Sequence, residues 1–344
     1  MKIVSNKPTI TRKELEGVLD CLINDDLSTG NIIKTFETSV SALTTQKYSL
    51  AVSSLTAAYI LAFKALELDT QSEVIIPSLF DSGAINALTI IGAKPILIDC
   101  EENSIFPSVD SIKEKITSNT RAIIVQHSFG YHFEIEKLSD VSIPIIEDIS
   151  HILGSEVNAE PAGKNSTFTV ISFAPSMIIT TGNGGMVQTN NSKYFSVMRD
   201  LRGPDENSIN LDCTMTDFQG AMGISQLLKI KDFLKRRREI ALTYSNALKI
   251  TSHKMLFPFN ENFAYQAFPV IFNSSAEKIQ KYWKKNGIQV VPSLPSPIHS
   301  LLKYRGLDFP NSDRLSKKLY NIPIYPTLTK KEIQTISKHL SSFI

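Results

Sequence analysis

The chain has 344 residues, 42% hydrophobic and 20% charged, with a net charge of +2. This is a globular composition, long enough for two domains or for one large domain with a smaller appendage. The near-neutral balance points away from nucleic acid and anionic membranes as partners.

Cys21, Cys100 and Cys213 are widely spaced and odd in number, so neither a disulfide framework nor a zinc spacing is readable. No metal is expected, and a reducing, cytoplasmic location fits. The first residues carry no long apolar run, which argues against a signal peptide. No stretch of about 18 apolar residues predicts a membrane span.

The first half alternates helical periodicity with short apolar runs. Residues 53–68 predict a helix starting near Ser53 and Ser54, whose hydroxyls suit a cap. Val74-Ile75-Ile76-Pro77 predicts a strand ended by proline. A helix over 81–91 stops at Gly92, and Pro95–Asp99 is the next strand. Helix 108–117, strand 122–125, a turn at Gly130 and strand 143–148 follow. Short, wholly apolar strands separated by helices predict an α/β fold, with a mostly parallel sheet covered on both faces.

Phe168–Phe173 and Gly185–Thr189 then form a hairpin-like pair around a glycine-rich turn. Helices are predicted over about 192–201 and 215–250. The run Lys235-Arg236-Arg237-Arg238 interleaves with Phe233, Leu234, Ile240 and Ala241, which predicts the solvated face of an amphipathic helix. Beyond about residue 251 come strand 267–272, helix 275–286, a proline-rich loop over 292–297, and helix 329–343 with Thr329 as N-cap. The expected division is a large domain over 1–240 and a smaller α+β domain over 241–344.

Ligands of open α/β sheets bind beyond the carboxyl ends of the strands. The candidate segments are therefore 77–83, 126–130, 148–151 and 172–185. Asp148 ends a strand, His151 follows three residues later, and the two could form an acid–base or orienting pair. His127 is expected to be structural. Gly182, Gly184 and Gly185 are explained by a turn.

Six motifs occur in order: Gly92-Ala93-Lys94-Pro95 leading to Asp99; Thr120-Arg121-Ala122 leading to His127 and Gly130; Glu147-Asp148-Ile149-Ser150-His151; Ser172-Phe173 leading to Gly182-Asn183-Gly184-Gly185; Met215-Thr216-Asp217-Phe218-Gln219-Gly220; and Ile322-Pro323-Ile324-Tyr325-Pro326-Thr327. In this order the chain resembles the DegT/DnrJ/StrS family of nucleotide-sugar aminotransferases, from about residue 10 to 340. The resemblance implies a fold-type-I enzyme that uses pyridoxal phosphate (PLP) to move an amino group onto a nucleotide-linked ketosugar. It also implies a homodimer with the active site between subunits, and the 215–228 segment suggests that this dimer is kept. By the same resemblance, Asp148 matches the carboxylate that faces the pyridine nitrogen. His151 matches a residue near the ring oxygen, and Ser172 a phosphate-holding hydroxyl. Ser54, Leu55 and Thr56 match the helix start that cradles the phosphate.

Several positions depart from that pattern. Met177 falls where the Schiff-base lysine belongs, and a thioether is neither an imine former nor a base. Leu55 replaces a glycine, and Asp81 replaces the aromatic that stacks on the ring. Asp212 and Thr214 align with an asparagine and an arginine. The expectation is that PLP is absent or held noncovalently. The chain would bind a nucleotide-linked or amino sugar and act on it with Asp148, His151 and Asp81. One alternative is an inactive member that serves as dimer partner or regulator, as a homodimer or with an active paralogue. Another is a dehydratase or aminotransferase that uses PLP, or its amine form PMP, noncovalently. Rescue by another lysine finds none in the candidate segments.

Overall fold

Alternation along the strands decides the layers. In Thr120–Gln126, Ala122 and Ile124 join one buried cluster and Ile123 and Val125 another. A strand buried on both faces requires cover on both. The computed structural model describes residues 2–24, 27–80, 82–203, 209–294 and 296–343.

The elements run α1 (Arg12–Ile23), α2 (Asn31–Thr44), β1 (Tyr48–Val52), α3 (Leu55–Ala65), β2 (Glu73–Pro77), α4 (Ser82–Ile91), β3 (Lys94–Ile98), α5 (Val109–Glu114), β4 (Thr120–Gln126), β5 (Ile145–Asp148), β6 (Glu156–Val157), β7 (Glu160–Pro161), β8 (Phe168–Ser172), β9 (Gly185–Thr189), α6 (Ser192–Arg202), α7 (Asp217–Leu227) and α8 (Ile230–Leu248). They continue with β10 (Lys254–Met255), β11 (Phe268–Ile271), α9 (Ala276–Lys285), β12 (Val291–Pro292), α10 (Ile298–Leu301), α11 (Pro310–Lys318), β13 (Leu319–Ile322) and α12 (Lys330–Ser342).

The main sheet has the order β1-β9-β8-β5-β4-β2-β3. Strands β3, β2, β4, β5 and β8 are parallel, and β9 is antiparallel to both β8 and β1. The mostly parallel sheet expected from the apolar runs is therefore present. On one face Val74, Ile76, Ile146, Val170 and Val187 pack with Leu61, Leu88 and Met198 of α3, α4 and α6. On the other, Ala51, Ile171 and Met186 pack with Phe36 of α2 and Phe233 of α8. From β2 the chain passes to the edge strand β3 and then returns to the far side of β2 as β4. The crevice at this reversal, beyond β2 and β4, is where such sheets hold ligands.

The second sheet, β10-β11-β13-β12, is antiparallel. Helix α12 begins at Thr329, whose hydroxyl accepts from the Glu332 N–H while Glu332 reaches back to the Thr329 N–H, a reciprocal cap. Ile3 joins this region: its N–H donates to the Gly287 carbonyl, and its own carbonyl accepts from the Gln289 N–H. No helix among the described residues is long and apolar enough to cross a membrane.

Two expectations are corrected. The single helix over 215–250 is two, α7 and α8, because Lys229 leaves helical geometry at φ −107°, ψ 0°. Its ammonium pairs with the buried Glu14. The basic run is not a solvated face either. Lys235 is exposed, but Arg237 is 2% exposed and donates to the carbonyls of Tyr265, Gln266 and Ile324. Arg236 donates to Leu328, and Arg238 to Phe263 and Asn262. Long planar side chains can bury their stems and satisfy backbone acceptors at a packing seam, which a charge count along the sequence does not register.

Candidate active site

Ser54 is fully extended, and its hydroxyl accepts from the Ala57 N–H, which starts α3. Leu55 and Thr56 form the first turn and are partly exposed. Gly185 fixes where this turn sits. A Cβ on Gly185 would lie 2.5 Å from the Ser54 carbonyl oxygen, so only glycine lets β9 approach so closely. Gly185 pairs with Ser172 across β8–β9 and with Val52 across β1–β9. Register therefore brings the α3 start and Ser172 to the same end of the sheet.

Asp148 ends β5 next to β8 and is 0% exposed. Its Oδ2 accepts from the Tyr59 hydroxyl at 3.0 Å and from Gln126 Nε2 at 3.4 Å; Oδ1 accepts from the Ser150 N–H at 2.9 Å. Gln126 in turn accepts from the Ser128 hydroxyl. The Ser172 N–H donates to Ser150 Oγ, while Ser172 Oγ accepts from the Ala174 N–H. This polar floor joins β4, β5 and β8, and reaches α3 through Tyr59, one turn beyond Leu55. Its principal member, Tyr59, is not a residue that the motifs single out. A signal existed: a tyrosine inside the apolar run Ala57–Phe63 of a helix must place its hydroxyl on a buried partner.

His151 is not hydrogen-bonded to Asp148. Its Nδ1 accepts from the Phe129 N–H at 3.0 Å. Burial, with His127 nearby, pushes the imidazole down to about 4. The ring is therefore neutral at pH 7 and carries its proton on Nε2, a donor. His127 is buried, accepts from the Phe133 N–H at Nδ1, and meets Glu147 at 3.0 Å through Nε2. Its Nδ1 holds the loop at Phe133 and its Nε2 meets a side chain of β5.

Met177 is half-buried in the turn after β8, its N–H donating to the Ala174 carbonyl. Gln266 and Asn6 fasten this turn by donating to the carbonyls of Ser176 and Pro175. From Asn165 to Ser192 the sequence has no lysine. Gly182 and Gly184 have φ of +82° and +138°, so the turn itself accounts for them. Thr214 bridges to Val52 beside the α3 start, while Asp212 is exposed. Asp81 lies outside the described residues.

Residues 8–341 match the DegT/DnrJ/EryC1/StrS aminotransferase family. GDP-perosamine synthase of Escherichia coli O157:H7 is 28% identical, aligned over 98% of this chain and 97% of its own length. The Vibrio cholerae enzyme of that name is 26% identical over 98% of each chain. Among solved structures, Helicobacter pylori PseC, an aminotransferase involved in the biosynthesis of pseudoaminic acid, superposes with a TM-score of 0.91 at 23% identity, covering 99% of this chain and 98% of its own. The aminotransferase TlmJ from Streptoalloteichus hindustanus gives 0.92 at 23% identity, with the same coverage. The fold is that of the PLP aminotransferases, and the chain belongs to the DegT/DnrJ/EryC1/StrS aminotransferase family.

Proposed function

We propose that this chain binds a nucleotide-linked or amino sugar and does not carry out ordinary PLP–lysine transamination. The observation that carries the proposal is the state of Asp148. The carboxylate placed for a pyridine nitrogen has no exposed surface and already accepts from Tyr59, Gln126 and Ser150. Two features agree. The position that the resemblance gives to the lysine is Met177, and the one that it gives to a glycine of the phosphate cradle is Leu55. The donor set thus does not suit PLP, which needs an amine, an accessible carboxylate and a phosphate cradle.

The kinship with the two GDP-perosamine synthases supports a nucleotide-linked sugar as ligand class. In this reading His151 recognises an oxygen of the sugar through its Nε2–H. Asp148 positions the floor through Tyr59, Gln126 and Ser150. Proton transfer by this pair is disfavoured because His151 Nδ1 is occupied and the ring resists protonation. Asp81 enters the proposal as an acid–base group on sequence grounds alone.

The test combines two measurements on the purified full chain. Incubation with PLP and then borohydride is expected to leave no covalent chromophore. Thermal-shift titration with GDP- and UDP-linked sugars is expected to raise the melting temperature. A stoichiometric, reducible PLP adduct overturns the proposal.

A further inference from the structure

We propose that Tyr59 is the side chain that closes the cofactor end of this crevice. Restoring a lysine by Met177→Lys then does not by itself restore binding of a pyridoxyl ring. This inference rests on the reading of the site given above and deepens it, by naming the residue that occupies the carboxylate.

Tyr59 sits on α3, between Ala57, Ala58, Leu61 and Ala62, all buried. Tyr59 lies on the buried face of α3, away from the exposed Lys64, so the phenol hydroxyl has no water to meet and is costly to leave unpaired. It is paired: the hydroxyl donates to Asp148 Oδ2 at 3.0 Å, and both residues are 0% exposed. Asp148 gains as much from the contact. A carboxylate held out of water needs several donors in place of hydration. Here the donors come from α3, β4 and the turn after β5, through Tyr59, Gln126 and Ser150. Three donors leave an acceptor site on the carboxylate, but Asp148 has no exposed surface, so a ligand ring that approached it would have to displace a neighbouring side chain. Ser150 is backbone, and Gln126 is tied to Ser128. Tyr59 meets Phe63 in a tilted arrangement, with ring centroids 5.8 Å apart, and is the bulkiest of the three. Replacing it with leucine keeps an apolar helix former on α3 and removes both the hydroxyl and the ring edge.

The probe is pyridoxine 5′-phosphate, which has the ring and the phosphate but no aldehyde, so binding is read without imine formation. Its affinity is measured by calorimetry on the full chain, in the parent protein, Met177→Lys, Tyr59→Leu and the double variant. Circular dichroism checks folding, and Tyr59→Met serves if Tyr59→Leu is not recovered folded. Both variants that carry Tyr59→Leu are expected to bind at least tenfold more tightly than the parent, and Met177→Lys alone to match the parent. Equal affinity in the parent and Tyr59→Leu, including no binding by either, overturns the role of Tyr59. So does Met177→Lys binding as tightly as the double variant. Neither result touches the proposed function, which falls instead if the parent forms the reducible PLP adduct.

Discussion

Arg237→Met tests whether a buried cation without a carboxylate stabilises the junction between the two sheets. The guanidinium is 2% exposed, and Nη1 donates to Gln266 and Ile324 at 2.9 Å and to Tyr265 at 3.2 Å. Among the described residues no acidic side chain pairs with it. Burial lowers its pKa from 12.5 to about 10, which corresponds to about 3 kcal/mol lost in holding the charge out of water. Hydrogen bonds from a charged donor contribute roughly 1.5–3 kcal/mol each. Nη1 has two hydrogens to share among the three carbonyls, so two bonds, roughly 3–6 kcal/mol together, offset the loss and leave a net stabilisation of up to about 3 kcal/mol. Methionine fills most of the volume but leaves three buried carbonyls without their donor. Urea unfolding can be followed by the fluorescence of Trp283, the only tryptophan, buried in α9. The unfolding free energy is expected to fall by that amount, seen as a lower midpoint at unchanged slope. Lys235→Ala, one turn-face away and exposed, is expected to stay within about 0.5 kcal/mol of the parent. An Arg237→Met protein as stable as the parent, or more so, would show that desolvation cancels the bonds and that the reasoning is wrong.

Asp217 lies at the start of α7 but caps α2, accepting from the N–H groups of Gly30 at 2.8 Å, Ile33 at 2.9 Å and Ile32 at 3.3 Å. Asp217→Ala is expected to destabilise by about 2 kcal/mol or more in the same urea assay, and an unchanged midpoint would refute the cap. Acid sensitivity should appear in two windows. Burial pushes His132 and His151 down to about 4, so the unfolded chain takes up protons first. Stability present above about pH 6.5 is then lost as pH falls toward 4, by up to about 3 kcal/mol per histidine. For Glu14, burial raises the pKa, but bonds from Lys229, Thr11 and Gln226 outweigh it and hold the carboxyl at about 2. Its contribution is lost between pH 4.5 and 2. His151→Gln should shrink the upper step alone; an undiminished step contradicts the assignment. Cys21, Cys100 and Cys213 are all buried, and burial pushes Cys100 up to about 12. A thiol reagent should find no fast-reacting group in the native chain and three after denaturation.

Much of this protein was determined by local sequence. The apolar runs at Val74–Pro77 and Ala122–Val125 are strands because residues buried on both faces have no other use at that length, Pro95–Ile98 is the less buried edge strand, and parallel pairing follows from the helices between them. Thr329 and Glu332 specify the start of α12 within four residues. The ordered motifs carried the family, and they placed Asp148, His151 and Ser172 at one end of the sheet. What remained hidden depends on partners far along the chain. Helices α1, α2 and α11 and strands β1 and β13 are not legible as local patterns. Ile3 belongs to the C-terminal region only because it meets Gly287 and Gln289, and the arginines of α8 look solvated until Tyr265, Gln266 and Ile324 surround one of them. The site shows the same division. Periodicity says that Tyr59 is inside a helix, but Asp148 is 89 residues away, and only the packing of α3 on the sheet decides that the phenol meets that carboxylate. Side-chain pattern records which face of an element is buried; the identity of what it is buried against is a property of the closed chain.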